Sequence, residues 1–421
     1  YQNFAIVGYV LKEGGPPPPV CNYQWSSQTS GSTGQFFSVS AVSDMVCWAA
    51  GATATVRKTT NGGSTWENGN SSPGVIAGDI YNIYAWSAND AICTTSPAAS
   101  NIYKTTNGGA TWTLSHTVAG GFINALQMVS ATEGYATGDP VGGIWEFLKT
   151  TDGGTTWAQV PTAPAQVGTE AGWNNSFSII GTNIWWGTNS TKVYRSTDMG
   201  ATWSSGVSTG TVNTYALHYN NPTTGIAGGT ATVVSANGGT SYTAATSPGT
   251  SGNINGFEGV GTDWWGIRSG ATVYRSTNAA ATWTDAYTQT GAVYQDIDFV
   301  IVNGCPVGWA VGNLGVVSKM SNVTGISNIG GEVPVDYTLG QNYPNPFNPE
   351  TNINFTIPKS GNVTLKIYDV SGKEVSTLVN EVKNAGNYIV GFNAASLPSG
   401  AYFYRLETNG FSATKKMMLI K

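Results

Sequence analysis

The chain has 421 residues, only 10% of them charged, and a formal net charge of −5. Its length allows two or more domains, and its acidic balance offers no basic surface, so we expect no nucleic acid partner. No segment approaches the run of about 18 apolar residues that a membrane-spanning helix needs.

The first 20 residues are predicted to form an N-terminal tail. An apolar, strand-prone run, Phe4–Val10, is followed by the polyproline spacer Pro16–Pro19. Such a run could add a strand to a sheet edge in a neighbouring subunit, or it could fold back on its own chain. Because the chain begins at Tyr1 rather than Met, we also expect an exported protein whose leader has been removed. The residues expected to make a subunit contact are Phe4, Ile6, Val7, Tyr9 and Val10.

A short turn motif recurs six times between residues 59 and 283, with the pattern (S/T)-x-(D/N)-x-G-x-T-W and small departures. Its aromatic residues are separated by 46, 45, 46, 39 and 41 positions. A period of about 40–45 residues with strand-like sequence in between is typical of a β-propeller. We call these segments the box turns. Their key residues are Asn61 and Trp66, Asn107 and Trp112, Asp152 and Trp157, Asp198 and Trp203, Asn237 and Tyr242, and Asn278 and Trp283.

Counting strands around the box turns predicts seven four-stranded blades over residues 21–320. A seventh third strand, Gly315–Lys319, has no box turn after it, and a lone outer strand, Tyr23–Thr29, has none before it. We therefore expect the N-terminal strand to supply the fourth strand of the last blade. This arrangement closes the ring and leaves no open edge between its first and last blades.

The four cysteines fit this closure. Cys21 would lie at the start of the closing strand and Cys305 in the first hairpin turn of the same blade. A disulfide between them would contribute about 4–5 kcal/mol in the chain-entropy model. Cys47 and Cys93 occupy equivalent second strands of adjacent blades, which pack about 10 Å apart. That spacing is too wide for a disulfide, so we predict two small buried residues.

The box turns resemble the Asp-box, or BNR repeat, of sialidases and of many other secreted propellers. In those families the box lies on the outer rim, so the resemblance implies a structural role. A sialidase site would need three converging arginines. Arg57, Arg195 and Arg275 instead precede box turns on different blades, where they would point outward, so we predict no sialidase. Because Ala279 and Ala280 stand where glycine is usual, we expect the sixth box turn to be distorted.

Several polar residues are candidates for a binding site at one mouth of the channel. Five asparagines recur at what we interpret as one inner-strand position, where they could bind a small ligand or water, or satisfy backbone groups. Asp296 lies near the same end of the channel. The five asparagines are Asn82, Asn124, Asn175, Asn213 and Asn255.

The sequence indicates no catalytic set. Asp79, Asp296 and Asp298 are the carboxylates nearest the inner strands, while Asp139 and Glu258 are expected in loops, and none forms a recognisable glycosidase pair. The two histidines lack metal-ligand spacing, and no phosphate-binding glycine loop is present. We therefore predict no enzyme, no metal and no cofactor, with a glycoside hydrolase as the alternative.

Residues 321–336 are predicted to be a linker, and 337–421 to form a small Ig-like β-sandwich of six or seven antiparallel strands. This module closely resembles the C-terminal sorting domain of the type IX secretion system of Bacteroidetes and their relatives. The matching segments are Gln341–Pro349, Ile367–Gly372, Gly400–Tyr402 and Lys415–Lys416. The resemblance implies recognition by the type IX machinery and export to the cell surface or medium. The domain is often cleaved in that family, so its presence here leads us to expect a lasting role.

These features predict an all-β protein, a seven-bladed β-propeller followed by a small Ig-like β-sandwich. We expect a non-catalytic structural subunit that assembles, as a filament or sheath, with itself or with other surface components through its tail and C-terminal domain. Two alternatives stay open. One is a propeller that binds or cleaves glycans, and the other is a binding scaffold for another surface protein.

Overall fold

The computed structural model describes residues 21, 23–72, 74–96, 99–208, 213–302, 304–322, 327–328, 334–394 and 397–420. They form two compact units, whose main bodies are Trp25–Ser321 and Asn322–Lys421. The contact predicted for Phe4–Val10 lies outside the described residues. Within them, secondary structure is almost all strand, with short 3-10 turns at Ala52–Ala54 and Asn313–Gly315. No helix among these residues is long and apolar enough to cross a membrane.

The first unit contains 28 strands, which follow the repeat in groups of four. Thr, Val, Ile, Tyr and Trp dominate them, and these residues suit a pleated, half-buried surface. In chain order the strands are β1 (Tyr23–Thr29), β2 (Phe36–Ala41), β3 (Cys47–Gly51), β4 (Thr55–Thr59), β5 (Glu67–Asn68), β6 (Ile80–Ala85), β7 (Ala91–Thr95), β8 (Ala99–Thr105), β9 (Thr113–Ala119), β10 (Ile123–Met128), β11 (Gly134–Val141), β12 (Ile144–Thr150), β13 (Ala158–Gln159), β14 (Gly172–Ile180), β15 (Asn183–Thr188), β16 (Lys192–Ser196), β17 (Ser204–Val207), β18 (Ala216–Tyr219), β19 (Gly225–Gly228), β20 (Thr232–Ser235), β21 (Thr243–Ala245), β22 (Ile254–Val260), β23 (Asp263–Arg268), β24 (Thr272–Ser276), β25 (Thr284–Thr288), β26 (Tyr294–Val302), β27 (Cys305–Gly312) and β28 (Val316–Asn322).

Strand order within the sheets follows chain order except in the closing sheet, which runs β1-β28-β27-β26. Strands β14–β17 and β18–β21 count as one eight-stranded sheet because a single parallel bridge joins Ser176 to Leu217. The strands β2, β6, β10, β14, β18, β22 and β26 are the inner strands. Each contacts the inner strands before and after it, and β26 contacts β2, so the first unit is a closed ring of sheets.

Aromatic side chains fill the space between successive sheets. Trp185 and Trp186 are adjacent on β15 and therefore face opposite sides of the sheet. Trp185 stacks on Tyr219 with ring centroids 3.8 Å apart, and Trp186 stacks on Phe147 at 5.4 Å. One dipeptide thus seals two interfaces, and its burial contributes several kcal/mol of hydrophobic stabilisation, at roughly 1.5–3 kcal/mol per large side chain.

The strand predicted to close the ring, Tyr23–Thr29, pairs with β28 and carries a glutamine that reaches into the neighbouring sheet. The Gln28 Oε1 atom accepts hydrogen bonds from Trp66 Nε1 at 3.3 Å and Trp309 Nε1 at 3.2 Å. Its Nε2 atom donates to the Gly62 carbonyl at 3.0 Å. Gln28 therefore ties the closing strand to a tryptophan of its own sheet and to the first box turn.

The cysteines divide into two kinds. Cys21 and Cys305 are disulfide-bonded. Cys47 and Cys93 are free and fully buried, as predicted. Burial raises the pKa of both free thiols, so neither carries an appreciable thiolate fraction near neutral pH.

The box turns share one hydrogen-bond pattern. In the third turn, Asp152 Oδ1 accepts the backbone N–H groups of Thr155 and Thr156, both at 2.9 Å. Thr150 Oγ1 accepts the N–H of Gly154 at 2.8 Å and donates to Asp152 at 2.9 Å. These bonds satisfy turn backbone that no strand partner reaches, which explains the recurrence of a hydroxyl and a carboxylate or amide in each turn.

The distortion predicted for the sixth box turn is wrong. Ser276 Oγ accepts the N–H of Ala280 at 3.0 Å, and Asn278 Oδ1 accepts that of Thr282 at 2.9 Å, as in the other turns. The two alanines adopt the left-handed conformation that glycine takes elsewhere, with φ of 56° at Ala279 and 66° at Ala280. The hydrogen bonds of the turn outweigh the local preference of alanine for negative φ.

The second unit consists of two antiparallel four-stranded sheets with a shared hydrophobic core. The sheet orders are β29-β34-β31-β30 and β33-β32-β35-β36. The strands are β29 (Ser327–Asn328), β30 (Thr338–Leu339), β31 (Glu350–Ile357), β32 (Gly361–Tyr368), β33 (Glu374–Lys383), β34 (Gly386–Asn393), β35 (Gly400–Thr408) and β36 (Phe411–Leu419). Strand β29 falls inside the predicted linker and pairs with β34. That part of the linker therefore belongs to the sandwich.

Candidate functional site

The inner strands enclose a cavity of about 630 Å³. One layer of its wall contains a polar side chain from every inner strand. We call this layer the polar belt. Its residues are Ser40, Tyr84, Gln127, Ser178, His218, Glu258 and Asp298. The strand register shows that they are equivalent. Each of the first six pairs with a second-strand residue, which pairs in turn with the position before the last residue of a third strand. Asp298 pairs with Trp309, which pairs with Lys319, as Ser40 pairs with Trp48 and Trp48 with Lys58.

The inner strands need polar neighbours because each lies at the inner end of its group of four strands, and among the described residues only β14 and β18 share a bridge across that end. On the side of an inner strand that faces away from the second strand, backbone N–H groups have no partner in the sheet. Burying them without a hydrogen bond costs free energy of folding. The hydroxyl of Ser40 accepts the N–H of Ala85 at 2.9 Å, and Asp298 Oδ2 accepts the N–H of Ala41 at 2.7 Å. These belt side chains therefore join β2 to β6 and β26 to β2.

The two aspartates on β26 perform this role at the junction where the ring closes. Asp296 Oδ2 accepts the N–H of Val39 at 2.8 Å, and its Oδ1 accepts the N–H of Ile297 at 2.9 Å. Burial raises the pKa of Asp296 to about 7 and that of Asp298 well above its ordinary value, and the charge of Glu258 adds to both effects. Both carboxyl groups are engaged by backbone donors.

The belt also contains a charge pair on neighbouring inner strands. His218 Nδ1 lies 3.4 Å from Glu258 Oε1. Burial disfavours a charged imidazole, but the nearby carboxylate outweighs burial and raises the pKa of His218. The pair is partly exposed to the cavity, so it is the part of the belt best placed to meet a ligand. Glu258 was expected in a loop. That expectation is wrong, because Glu258 lies within β22.

Asn175 crosses the channel near the beginning of the inner strands. Its Nδ2 atom donates to the carbonyl oxygens of Asn255 at 3.3 Å and Gln295 at 3.2 Å. Strands β14 and β22 are not neighbours in the ring, so the amide reaches across the opening. Its backbone φ of 62° is left-handed, a conformation that asparagine tolerates better than most residues.

The interpretation of the five asparagines as one ring is wrong. Register shifts place Asn124 and Asn255 at β-bulges in β10 and β22, whereas Asn82 lies on the regular ladder opposite a threonine. Asn213 precedes β18 altogether. Counted back from the polar belt, Asn124, Asn175 and Asn255 each lie three residues before it, whereas Asn82 lies two and Asn213 five residues before it. The misalignment arose because the apolar residues used as markers are not equivalent: Tyr84 belongs to the belt, but Leu126 and Phe257 precede it by one residue. Of the five, Asn82 and Asn175 line the cavity.

Basic residues before the box turns link neighbouring blades at the rim. The Lys58 ammonium donates to the Gly108 carbonyl of the next box turn at 3.1 Å, and Arg195 Nη1 donates to Thr240 Oγ1 at 2.9 Å. Lys58, opposite Trp48, occupies the position that Arg195 and Arg275 hold in their blades. Arg57, which was grouped with Arg195 and Arg275 in the sequence analysis, lies one residue before that position. None of these cations faces the cavity.

A buried carboxyl group lies apart from the channel. Glu146 on β12 is 3% exposed, and neither of its oxygens has a hydrogen-bond partner. His116 Nε2, also without a hydrogen bond, lies 3.9 Å away. A Cβ atom at Gly121 would come within 2.6 Å of Glu146 Oε2, so glycine makes room for the side chain. Burial, followed by the charge of Asp139, raises the pKa of Glu146 to about 7.

Metal coordination finds no support among these groups. No cluster of three or more His, Cys, Asp or Glu residues in the described part of the chain is placed to hold a metal ion.

Asp139, another carboxylate expected in a loop, lies within β11 and accepts the N–H of Gly172 at 2.7 Å. Trp145 is fully buried in the core, so its ring offers no face for stacking on a sugar.

Solved structures similar to the chain are propellers that cover the first unit's length. YCF48 bound to D1 peptide is 15% identical with a TM-score of 0.56, over 72% of this chain and 99% of that one. YCF48 from Cyanidioschyzon merolae is 16% identical with a TM-score of 0.52, over 70% and 98%. The WD40 β-propeller domain of Doa1 is 11% identical with a TM-score of 0.54, over 72% and 97%. The likeness shows the fold, so the chain contains a β-propeller.

The second unit matches a known family of sorting domains. Residues 341–421 match the family model described as "Secretion system C-terminal sorting domain". The protein is thus a type IX secretion substrate, found at the cell surface or outside the cell. A comparison with curated proteins gave no match.

Proposed function

We propose that this secreted protein is a non-catalytic structural subunit that assembles on the cell surface through its N-terminal tail. Its platform is a seven-bladed propeller of the Asp-box type, carried with an Ig-like sorting sandwich that remains on the mature protein. The 28 strands of the ring, in groups of four, support the blade count. The shared hydrogen bonds of the six box turns support the Asp-box assignment.

The absence of catalysis is argued from the channel. A glycosidase needs two carboxyl groups free to act on a sugar. Asp296 and Asp298 instead accept backbone hydrogen bonds from β2 at the junction of the first and last sheets. Glu258 has His218 beside it but no second free carboxyl group among the belt residues. Asp296 and Asp298 therefore serve the closure of the ring.

The observation that carries the assembly proposal is the chemistry of the outer strands, each of which ends its sheet. Together they contain one Glu and one Asp, and no Lys, Arg or Pro. Natural edge strands usually carry such residues to prevent pairing with other chains. Unprotected edges of this kind accept an added strand. The outer strands are β1, β5, β9, β13, β17, β21 and β25.

The N-terminal tail supplies a suitable donor. Phe4–Val10 contains no charged residue and is rich in Val, Ile, Phe and Tyr, which favour strands. Twelve residues separate Val10 from Tyr23, and an extended chain covers at most about 3.3–3.6 Å per residue, or roughly 40 Å in all. That reach is sufficient for contact with an adjacent molecule.

The test compares the full chain with a variant that lacks residues 1–10. Sedimentation velocity and negative-stain electron microscopy should show polymers for the full chain and monomers for the deletion variant. Monodisperse monomers of the full chain across the micromolar range would overturn the proposal. Co-purification of a different surface protein instead of self-assembly would favour the scaffold alternative.

A second candidate function is binding of a glycan or small polar ligand in the channel. The cavity volume of about 630 Å³ falls within the usual range for ligand sites, and Glu258 and His218 present polar groups to it. Glycan-array binding or release of reducing sugar, lost in Glu258→Gln, would favour this function. Neither signal would be expected from a purely structural subunit.

A further inference from the structure

We infer that the acceptor for the tail is the outer edge of β9 in a second copy of this chain, an inference that rests on the proposed assembly function. Strand addition works best when donor and acceptor have similar lengths, because each paired residue adds main-chain hydrogen bonds. Phe4–Val10 has seven residues. The outer strands β5, β13, β17, β21 and β25 have two, two, four, three and five residues, whereas β1 and β9 have seven each.

Side-chain chemistry distinguishes β9 from β1. The large apolar residue of β1, Trp25, is covered by Tyr287, whose ring stacks on it with centroids 5.8 Å apart. The exposed positions of β1 are polar, such as Gln24 and Ser26. Strand β9 instead presents Leu114, which is 49% exposed. An apolar donor gains from burying such a side chain, at about 25 cal/mol per Å² of apolar surface.

The inner side of β9 is held in place by the rest of the propeller. Ser115 Oγ donates to the Ile102 carbonyl at 3.1 Å, and His116 is turned inward against Glu146. The strand is therefore a fixed template whose outer edge is its free side in the first unit. No charge in Thr113–Ala119 opposes an incoming strand.

This geometry predicts the symmetry of the assembly. The donor precedes β1 in the closing sheet, and the acceptor is β9 in another sheet. The two surfaces of each contact therefore differ. A tail passed on to a third copy repeats head to tail and gives rings or open filaments, whereas two copies that exchanged tails reciprocally would form a closed two-fold dimer. We expect a polymer in which each copy donates one strand and accepts one.

The test uses two substitutions with matched exposure. Leu114→Lys places a charge on β9, and Val207→Lys places one on β17, where Val207 is 51% exposed. We expect Leu114→Lys to weaken assembly by at least about tenfold in concentration, and Val207→Lys to assemble like the unmodified chain. Far-ultraviolet circular dichroism and the urea midpoint should be unchanged in both variants, which separates loss of docking from loss of folding.

A peptide experiment locates the contact directly. A fluorescent peptide with the sequence of Phe4–Val10 should bind the protein that lacks residues 1–10, and Leu114→Lys should abolish that binding. Normal assembly by Leu114→Lys, with assembly lost on tail deletion, would overturn β9 as the acceptor and leave the proposed function intact. Assembly that survives tail deletion would overturn both. A monomeric full chain that cannot bind the peptide would indicate docking within one chain and would also overturn both.

Discussion

Replacing Glu146 with glutamine removes one buried charge and keeps the shape of the side chain. Both carboxyl oxygens lack a hydrogen-bond partner, and the residue is 3% exposed. An ionised carboxylate at this position has lost water without gaining donors. Burial, with a contribution from the charge of Asp139, accordingly raises the pKa of Glu146 to about 7.

The magnitude follows from proton linkage. The pKa of Glu146 is 4.5 without the protein environment and about 7 in the folded chain, so the folded state binds the proton more tightly than the unfolded state. The stability that this group contributes is therefore present below about pH 4.5 and is lost as pH rises through 7. At 1.36 kcal/mol for each pKa unit, the loss is about 3 kcal/mol.

Urea unfolding followed by tryptophan fluorescence measures this effect. All 15 tryptophans precede Ser321, so the signal reports on the propeller alone. At pH 8 we expect Glu146→Gln to be more stable than the unmodified chain by about 3 kcal/mol, and at pH 5 by less than about 1 kcal/mol. Glu67→Gln is the control, because the Glu67 side chain is 61% exposed beside Lys58 and such surface pairs contribute little.

The comparison between the two pH values decides the outcome. An equal effect of Glu146→Gln at pH 5 and pH 8 would mean that the proton affinity of Glu146 does not change on folding. A loss of stability at pH 8 would mean that the carboxylate has favourable partners. Either result would refute the description of Glu146 as a buried carboxyl group without donors.

Three further substitutions test the ring and its turns. Cys21→Ser opens a disulfide that closes a very long loop, so the unfolding free energy should fall by about 3–5 kcal/mol; an unchanged urea midpoint would contradict a role in closure. Asp296→Ala leaves the N–H of Val39 without its acceptor and should cost about 1–3 kcal/mol, with polymer formation in sedimentation unaffected. Ala279→Gly relieves a φ of 56° on an exposed residue and should stabilise the propeller by about 1 kcal/mol, seen as a higher Tm.

Much of the ring could be predicted because its markers are local. Each box turn connects a third strand to an outer strand, so the spacing of the turns shows where strands must fall. The lone segment Tyr23–Thr29 stood out because it had no box turn, and the structure has β1 over the same residues. The strands of the second unit, such as Gly386–Asn393, could also be predicted, from the alternation of apolar and polar residues and from the turn residues between strands.

The channel could not be read in the same way because its layers depend on register. A β-bulge changes which residues face inward and leaves little trace in a single sequence. The asparagines were aligned by their distance from large apolar residues, but Tyr84 lies in the polar belt whereas Leu126 and Phe257 lie one residue before it. A better signal was available, since His218, Glu258 and Asp298 are separated by 40 residues each. That equal spacing is close to the period of the repeat and would have indicated that all three lie in one layer.

The inner and outer strands of the propeller differ in how their unpaired backbone groups are satisfied. At the inner edge, side chains such as Ser40 and Asp298 satisfy the unpaired backbone of the next strand. Asp296 likewise accepts the N–H of Val39 on the next inner strand. At the rim, Lys58 and Arg195 bind neighbouring box turns rather than strand edges.

The outer strands therefore keep backbone that the ring itself does not satisfy, and shortness limits the exposure of most of them. Strands β5 and β13 have two residues each and offer little to a partner. A long, uncharged edge strand such as β9 is a risk to a secreted protein if it stays unpaired, because it can pair nonspecifically with other chains and aggregate. Its retention fits the proposed assembly, in which the segment Phe4–Val10 of another copy pairs with it.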